Sequence, residues 1–347
     1  MQSIFGGDNL ATLDDIAQEL GISKSTVSKA LNGAKDVSKK MQQTVLEKAV
    51  ELGYSRMNRS TAAPRVAIFI MNMEYQQPED FGYDIVVGFR KAAEPAGYQV
   101  EIIPLNQQMQ RDYRYDSYMM RENFCGALFL GMSLLDPWIR EFETCKTPTV
   151  LYDNHVSGNP NITSIGVDVV ESIETAINYL LSLGHKKIGY LSSALEAYIY
   201  QQRYQAFIQV MTKKGLTADD SVMGNSYHVS VCLTEHLPRL IENGCTAIIC
   251  SHDILAHSTM FHCAELGIRV PDDISIMGYD DIPLCRYTNP PLTTIRQNRS
   301  ALGKSAFYAL SSQLNAVFLS SHMLHAELIL RSSCGPAPAN APVIVKK

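Results

Sequence analysis

Residues 12–54 read TLDDIAQELGISKSTVSKALNGAKDVSKKMQQTVLEKAVELGY, and the three helices encoded there decide how this end of the chain folds. Thr12 is a good N-cap with Asp15 three residues on, a capping-box variant. Ile16, Ala17 and Leu20 supply an apolar stripe that Gly21 stops in the left-handed conformation. Ser23 caps a second helix that Asn32-Gly33 ends. Within it, Lys24, Ser25, Ser28, Lys29 and Asn32 fall at i, i+1, i+4, i+5 and i+8 and so share one side. Val27, Ala30 and Leu31 occupy the other side and need burial. Ser38 opens a longer third helix whose Met41, Val45, Leu46, Ala49 and Val50 face inward, closing near Gly53. Two helices joined by a tight glycine turn and braced by a third make a helix-turn-helix domain, here carrying a cationic ridge free of acidic residues.

Charge supports that reading by its distribution. The whole chain of 347 residues carries a net −5, yet Lys24 to Arg59 holds eight Lys or Arg against Asp36, Glu47 and Glu51, a local +5. An acidic body keeps a large protein from adhering to phosphates unspecifically while the basic footprint stays local. A length of 347 residues exceeds one ordinary domain, and 46% hydrophobic with 19% charged residues fits a soluble globular chain. Apolar runs such as Val66 to Met71 are strand length, far short of a bilayer span. The first residues lack the features of a secretory signal. Eight cysteines without framework spacing read as reduced thiols of a cytoplasmic protein.

Beyond a polar linker (residues 55–64) strands and helices alternate. Strand signals lie at Val66–Met71, Val100–Pro104, Gly126–Leu130, Thr149–Tyr152, Ile188–Leu191, Ala247–Cys250 and Ile274–Gly278. Helix signals lie at Ile85–Ala96, Val170–Leu183, Arg203–Lys214 and Ile254–Leu266. This alternation predicts two doubly wound parallel sheets, which bind ligands beyond the carboxyl ends of their strands. A Pro/Ala-rich tail from residue 335 reads as flexible. His252, His257 and His262 sit five apart, off any single helical face, and no CxxC or HExxH accompanies them, so no metal and no cofactor is expected. GxGxxG, Walker and GxSxG motifs are also missing, which argues against an enzyme.

Taken together, LDDIAQELGISKSTVSKALNG, GHKKIGYL (Gly184–Leu191), AIICSHDILA (Ala247–Ala256), GIRVPDDISIMGYDD (Gly267–Asp281) and PPLTTI (Pro290–Ile295) resemble the LacI/GalR, or lactose-repressor, family of transcriptional regulators over nearly the whole chain. The resemblance implies an all-α helix-turn-helix domain (10–54) on an α/β body like a periplasmic binding protein. The implied subdomains cover 65–165 plus 293–322 and 166–292 plus 323–334. It further implies a homodimer on a double-stranded DNA operator, without membrane attachment, and a small effector, carbohydrate above all, bound between the subdomains. The alternatives are a global regulator with a protein coeffector, and a solute-binding protein with no regulatory role.

Carried over by position, Lys24, Ser25 and Lys29 would read base edges. Ser23, Thr26, Ser28, Asn32 and Lys39 would contact phosphates, with Tyr54, Arg56 and Arg59 also at the DNA. Asp153, Arg203, Asp253 and Asp280 match family positions lining the effector cleft, carboxylates and a guanidinium to hold hydroxyls; Phe81 after the first strand and Tyr227 in a loop would stack on a sugar face, with His252 beside Asp253 offering a hydrogen-bonding edge. Two departures stand out. Residues 54–66, YSRMNRSTAAPRV, lack the family's hinge-helix Leu, with Met57 a weak substitute. His252 replaces the family's usual Asn before Asp253, which suggests either an altered ligand, anionic or phosphorylated and bound at acidic pH, or a site that has drifted.

Overall fold

The computed structural model describes residues 11–54, 63–339 and 342. Three helices come first: α1 (Leu13–Leu20), α2 (Lys24–Leu31) and α3 (Lys39–Glu51). Each start is capped by the expected side chain: Thr12, Ser23 and Ser38 accept the amides of Asp15, Thr26 and Met41. Asp15 completes the box by accepting the Thr12 amide at 2.6 Å. Gly21 ends α1 at φ +62°, a conformation in which an L side chain would be strained, and so sets the turn into α2. Ile16, Val27, Val45 and Ala49 are fully buried where the helices meet. Burial of each large apolar side chain there stabilises by about 1.5–3 kcal/mol, enough to hold a small three-helix unit against chain entropy only because several act together.

Two six-stranded sheets follow. The first has the order β11-β5-β4-β3-β1-β2, from β1 (Arg65–Ile70), β2 (Gln99–Pro104), β3 (Phe124–Leu130), β4 (Thr149–Tyr152), β5 (Ile162–Val167) and β11 (Ser321–Leu324). β1 pairs in parallel with both β2 and β3, and β3 with β4. β3 is buried at every position, as expected of a central parallel strand covered on both faces. Its core is aromatic. Phe69 stacks on Phe129 at 4.7 Å between centroids and meets Trp138 edge-on at 5.6 Å. The buried Tyr115 hydroxyl shares a 2.6 Å hydrogen bond with Thr149 Oγ1.

The second sheet has the order β12-β10-β9-β8-β6-β7, from β6 (Ile188–Ser192), β7 (Met223–Asn225), β8 (Ala247–Cys250), β9 (Ser275–Asp280), β10 (Thr293–Arg296) and β12 (Glu327–Ile329). All the pairings among β6–β10 are parallel, whereas β12 runs antiparallel to β10. Around these strands lie α8 (Val169–Ser182), α9 (Tyr198–Lys213) and α12 (Asp253–Glu265). α10 (Val229–Val231) passes through a π turn into α11 (Leu237–Glu242). The predicted fold class is therefore observed: a helix-turn-helix region followed by two doubly wound sheets.

The described residues gather into two compact units: those up to 73 with 89–164 and 304–321, and 74–88 with 165–303 and those from 322 onward. The second unit thus takes in the eleven residues 293–303 that the resemblance placed with the first, and within them β10 pairs with β9 and β12. The tail also differs from expectation where it begins. Buried His185 contacts the Gly335 carbonyl at 3.0 Å, and the Ala337 amide donates to the Leu183 carbonyl, so 335–337 are anchored. All eight cysteines are free and buried. No helix among the described residues is long and apolar enough to cross a membrane.

Candidate functional site

α2 presents Lys24, Ser25, Lys29 and Asn32 to solvent while Val27, Ala30 and Leu31 anchor it. Ser23 is engaged with its own helix, its Oγ accepting the Thr26 amide and lying 2.8 Å from Thr26 Oγ1. That contact fixes the helix start and orients the hydroxyls beside it. The ridge is not free of acid, however. Lys24 Nζ donates to Asp14 Oδ2 at 2.6 Å and Lys29 Nζ to Asp36 Oδ2 at 2.6 Å. Both carboxylates come from neighbouring elements, α1 and the loop before α3, which a helical projection of α2 cannot show. Lys39, at the exposed start of α3, stays on the surface. Tyr54, expected at DNA, is buried at 8% exposure in the three-helix core, where its ring packs instead. Arg56, Met57 and Arg59 lie outside the described residues.

The second cluster forms at the carboxyl ends of the second sheet. Arg203, on α9, is 2% exposed and its guanidinium lies 3.7 Å from the Tyr279 ring centroid. Its Nη2 donates to Asp280 Oδ1 at 3.0 Å, and its Nη1 donates to the Ser251 carbonyl. Gln297 Nε2 donates to the same Asp280 oxygen at 2.7 Å. Asp280 and Asp281 hold φ of +111° and +51°, unusual for non-glycine residues, a strain of about 1–3 kcal/mol each that the surrounding contacts must sustain. Arg299 Nη1 reaches the Asp280 carbonyl at 3.1 Å, and its guanidinium sits 5.2 Å from the Phe81 ring, so Phe81 joins this neighbourhood. A cavity of about 380 Å³, lined by Asp84, Asp281, Arg296, Gln297 and Arg299 among others, opens beside it.

Two of the expected ligand contacts take other roles. Asp253, 2% exposed, accepts the Thr294 hydroxyl at 2.6 Å and the Ile282 amide at 2.9 Å, so its carboxylate braces the interior instead of facing a ligand. Gly278 on β9 makes room for it: a Cβ there would lie 2.2 Å from Asp253 Oδ1. Burial first, then the charge of Asp280, pushes the Asp253 carboxyl well above the usual range. His252 caps α12 through Nδ1, which accepts the Leu255 amide at 3.2 Å; Nε2 therefore carries the proton and donates to Ser193 Oγ at 2.7 Å. Burial lowers its pKa to about 4. The imidazole is neutral down to about that pH, so it offers no positive charge to the anionic ligand expected beside it.

Tyr227 stands apart, 79% exposed, with its ring edge against His228. Asp153 belongs to the first unit, just beyond β4, at φ +49°. Sequence reasoning missed Gln297, Arg299 and Ser193, each just past a strand end or opening a helix, the position that doubly wound sheets reserve for ligands. It also missed Asp281, which accepts from Arg296 at 2.7 Å and Arg331 at 2.6 Å. Burial would raise that carboxyl, but the two guanidiniums outweigh it and the net shift is downward. The doubled aspartate of GYDD was the available signal. No group of three or more metal-binding side chains occurs among the described residues.

Comparison with known proteins matches two segments. Residues 12–56 fit the family model described as bacterial regulatory proteins, lacI family, and residues 177–334 fit the periplasmic binding protein-like domain. Among curated relatives, the HTH-type transcriptional repressor CytR of Escherichia coli (strain K12) is 27% identical over 339 residues, covering 95% of this chain and 98% of its own. The repressor PurR of Vibrio vulnificus (strain CMCP6) is 28% identical over 338 residues, covering 93% and 98%. Of solved structures, a CelR–cellobiose complex aligns with TM-score 0.66 at 20% identity over 93% of this chain and 99% of that one. A lac repressor dimer bound to operator and the anti-inducer ONPF aligns with TM-score 0.62 at 20% identity, over 94% and 99%. Likeness at that identity establishes the fold.

Proposed function

The chain belongs to the lacI family of bacterial regulatory proteins, and from that premise we propose how its two parts work. It is a DNA-binding transcriptional repressor of that family, not an enzyme. The observation that carries the DNA reading is α2, a capped, rigidly seated helix whose outward face bears Lys24, Ser25 and Lys29. We assign these to base edges in the major groove, where lysine donates to guanine O6 and N7. Ser23, Thr26, Ser28, Asn32 and Lys39 face phosphates, which fix register without reading sequence. A second copy of the chain supplies the other half-site. Its support is α12, where Ile254 and Phe261, seven residues apart on one face, are 49% and 63% exposed.

The effector is a neutral, hydroxyl-bearing molecule, a sugar or sugar derivative, held near Asp280, Gln297, Arg299 and Phe81. Asp280 offers acceptors, Gln297 and Arg299 donors, and Phe81 a ring face, which is the set a polyol needs. The neutral His252 and the cellobiose bound in the CelR neighbour support that chemistry. Its binding biases two arrangements of the body and so the DNA affinity. Thermal shift against mono- and disaccharides, nucleosides and sugar phosphates tests this: the binder raises the melting temperature and alters affinity for a selected duplex. If only sugar phosphates bind, the neutral-ligand assignment fails; if only a protein partner changes DNA affinity, the small-effector reading fails.

A further inference from the structure

The two lysines assigned to base edges are the ones the domain itself occupies. Lys24 is the first residue of α2 and Lys29 its sixth, and each is held by a carboxylate from outside the helix: Asp14 of α1 and Asp36 of the following loop, both at 2.6 Å. The four side chains are 53–64% exposed, so neither pair braces a core. Neither acid is needed as a cap, because Thr12 with Asp15, Ser23 and Ser38 fill those roles. By contrast Lys35, Lys39 and Lys40 form no ion pair among the described residues. Lys48 pairs with Glu51 of its own helix at 2.6 Å, so pairing to a carboxylate of another element is what sets the two reading-face lysines apart among the lysines of this unit.

We propose that Asp14 and Asp36 are specificity residues, which withhold Lys24 and Lys29 from phosphates while leaving them able to read bases. The proposal rests on α2 being the DNA-reading helix. Random duplex is bound chiefly through phosphates, with affinity arising from counterions that free lysines displace. A lysine already neutralised by a carboxylate gives little of that gain, and moving it to a phosphate leaves the acid unpaired beside a negative backbone. A base edge makes no such demand. The ammonium has three N–H donors, so it can stay on aspartate while donating to guanine O6 or N7, and the carboxylate can accept from a neighbouring cytosine N4. Random DNA is therefore weakened more than the cognate site.

The test uses the full-length chain, a duplex enriched from a random library, and an unrelated duplex of equal length. Asp14→Asn, Asp36→Asn and the double variant are titrated at several salt concentrations, with Glu19→Gln as a control for net charge. Affinity for the unrelated duplex is expected to rise about twofold to fivefold per Asp substitution, the range that an exposed ion pair commands. Its dependence of log K on log salt steepens by up to about 0.9 for each lysine released. The enriched duplex gains less, so the preference falls. Equal gains on both duplexes, no gain on either, or the same gain from Glu19→Gln would overturn the proposal. If no duplex is enriched at all, the DNA-reading assignment of α2 itself fails, an outcome distinct from the others.

Discussion

Replacing Arg203 with Met keeps most of the buried side-chain volume and deletes its charge. The wild-type guanidinium is 2% exposed, lies 3.7 Å from the Tyr279 centroid, and donates to Asp280 Oδ1 at 3.0 Å and to the Ser251 carbonyl. Removing one partner of a buried pair costs about 3–5 kcal/mol, because the other charge stays behind uncompensated. Here Asp280 keeps Gln297 at 2.7 Å, and its side chain is 14% exposed, so water relieves part of the loss and the low end, about 3 kcal/mol, is expected. Asp280→Asn alone strands the buried guanidinium and costs a similar amount. The double variant removes both charges and should fall short of additivity by about 2 kcal/mol. With a urea slope near 2 kcal/mol/M, the single variant moves the midpoint down by about 1.5 M. The chain's single tryptophan, Trp138, is buried in the first unit's core, whereas Arg203 lies in the second. The shift is therefore read by far-ultraviolet circular dichroism, which reports on the strands and helices around Arg203. A midpoint change below about 0.3 M, or strict additivity in the double variant, would refute the reasoning.

Two further outcomes follow from the same cluster. His252→Asn keeps a good N-cap for α12 but removes a ring whose pKa burial lowers to about 4. A histidine depressed in the folded state contributes stability that is fully present above its unfolded pKa of about 6.5 and lost as pH falls towards 4. Relative to the variant, wild type should therefore lose up to about 3 kcal/mol over that window, less any screening of the part-exposed ring, as read by urea midpoints at pH 7 and pH 4.5. An unchanged difference between the two pH values would show that the imidazole is not buried neutral. Gly278→Ala puts a Cβ 2.2 Å from Asp253 Oδ1 and 2.9 Å from Leu292 Cδ2, with Asp253 pinned by two hydrogen bonds. A loss of about 1–3 kcal/mol is expected from overpacking, whereas a melting temperature within a degree of wild type would show that the strand yields.

How much of this was legible depended on how local the cause was. The three N-terminal helices announce themselves because caps and apolar spacing act within four residues, and Thr12, Ser23 and Ser38 all cap as read. The Lys24–Asp14 pair spans ten residues and depends on how α1 crosses α2, so periodicity could not reveal it. The strand and helix signals pass over residues 107–122, which form α5 (Gln107–Asp112) and α6 (Tyr115–Glu122) because Tyr115 and Met119 are buried with Trp138 in an aromatic core distant in sequence. β5, reading ITSIGV, was masked by Thr163 and Ser164, whose hydroxyls find partners in Leu319 and His155 only once the chain has folded. At the second site Arg203 and Asp280 were readable from their motifs. The inward turn of Asp253 was not, since it requires the gap at Gly278 on a strand twenty-five residues later.

The role proposed for α2 is to read sequence through its exposed lysines. Full-length Lys29→Ala and Lys39→Ala, titrated against an enriched duplex and an unrelated one at fixed salt, test it most directly. Loss of preference in Lys29→Ala, by about 1–3 kcal/mol on the enriched duplex alone, with near-equal weakening on both duplexes in Lys39→Ala, is the predicted result. Equal weakening on both duplexes in both variants would contradict it, leaving Lys29 as one more phosphate contact.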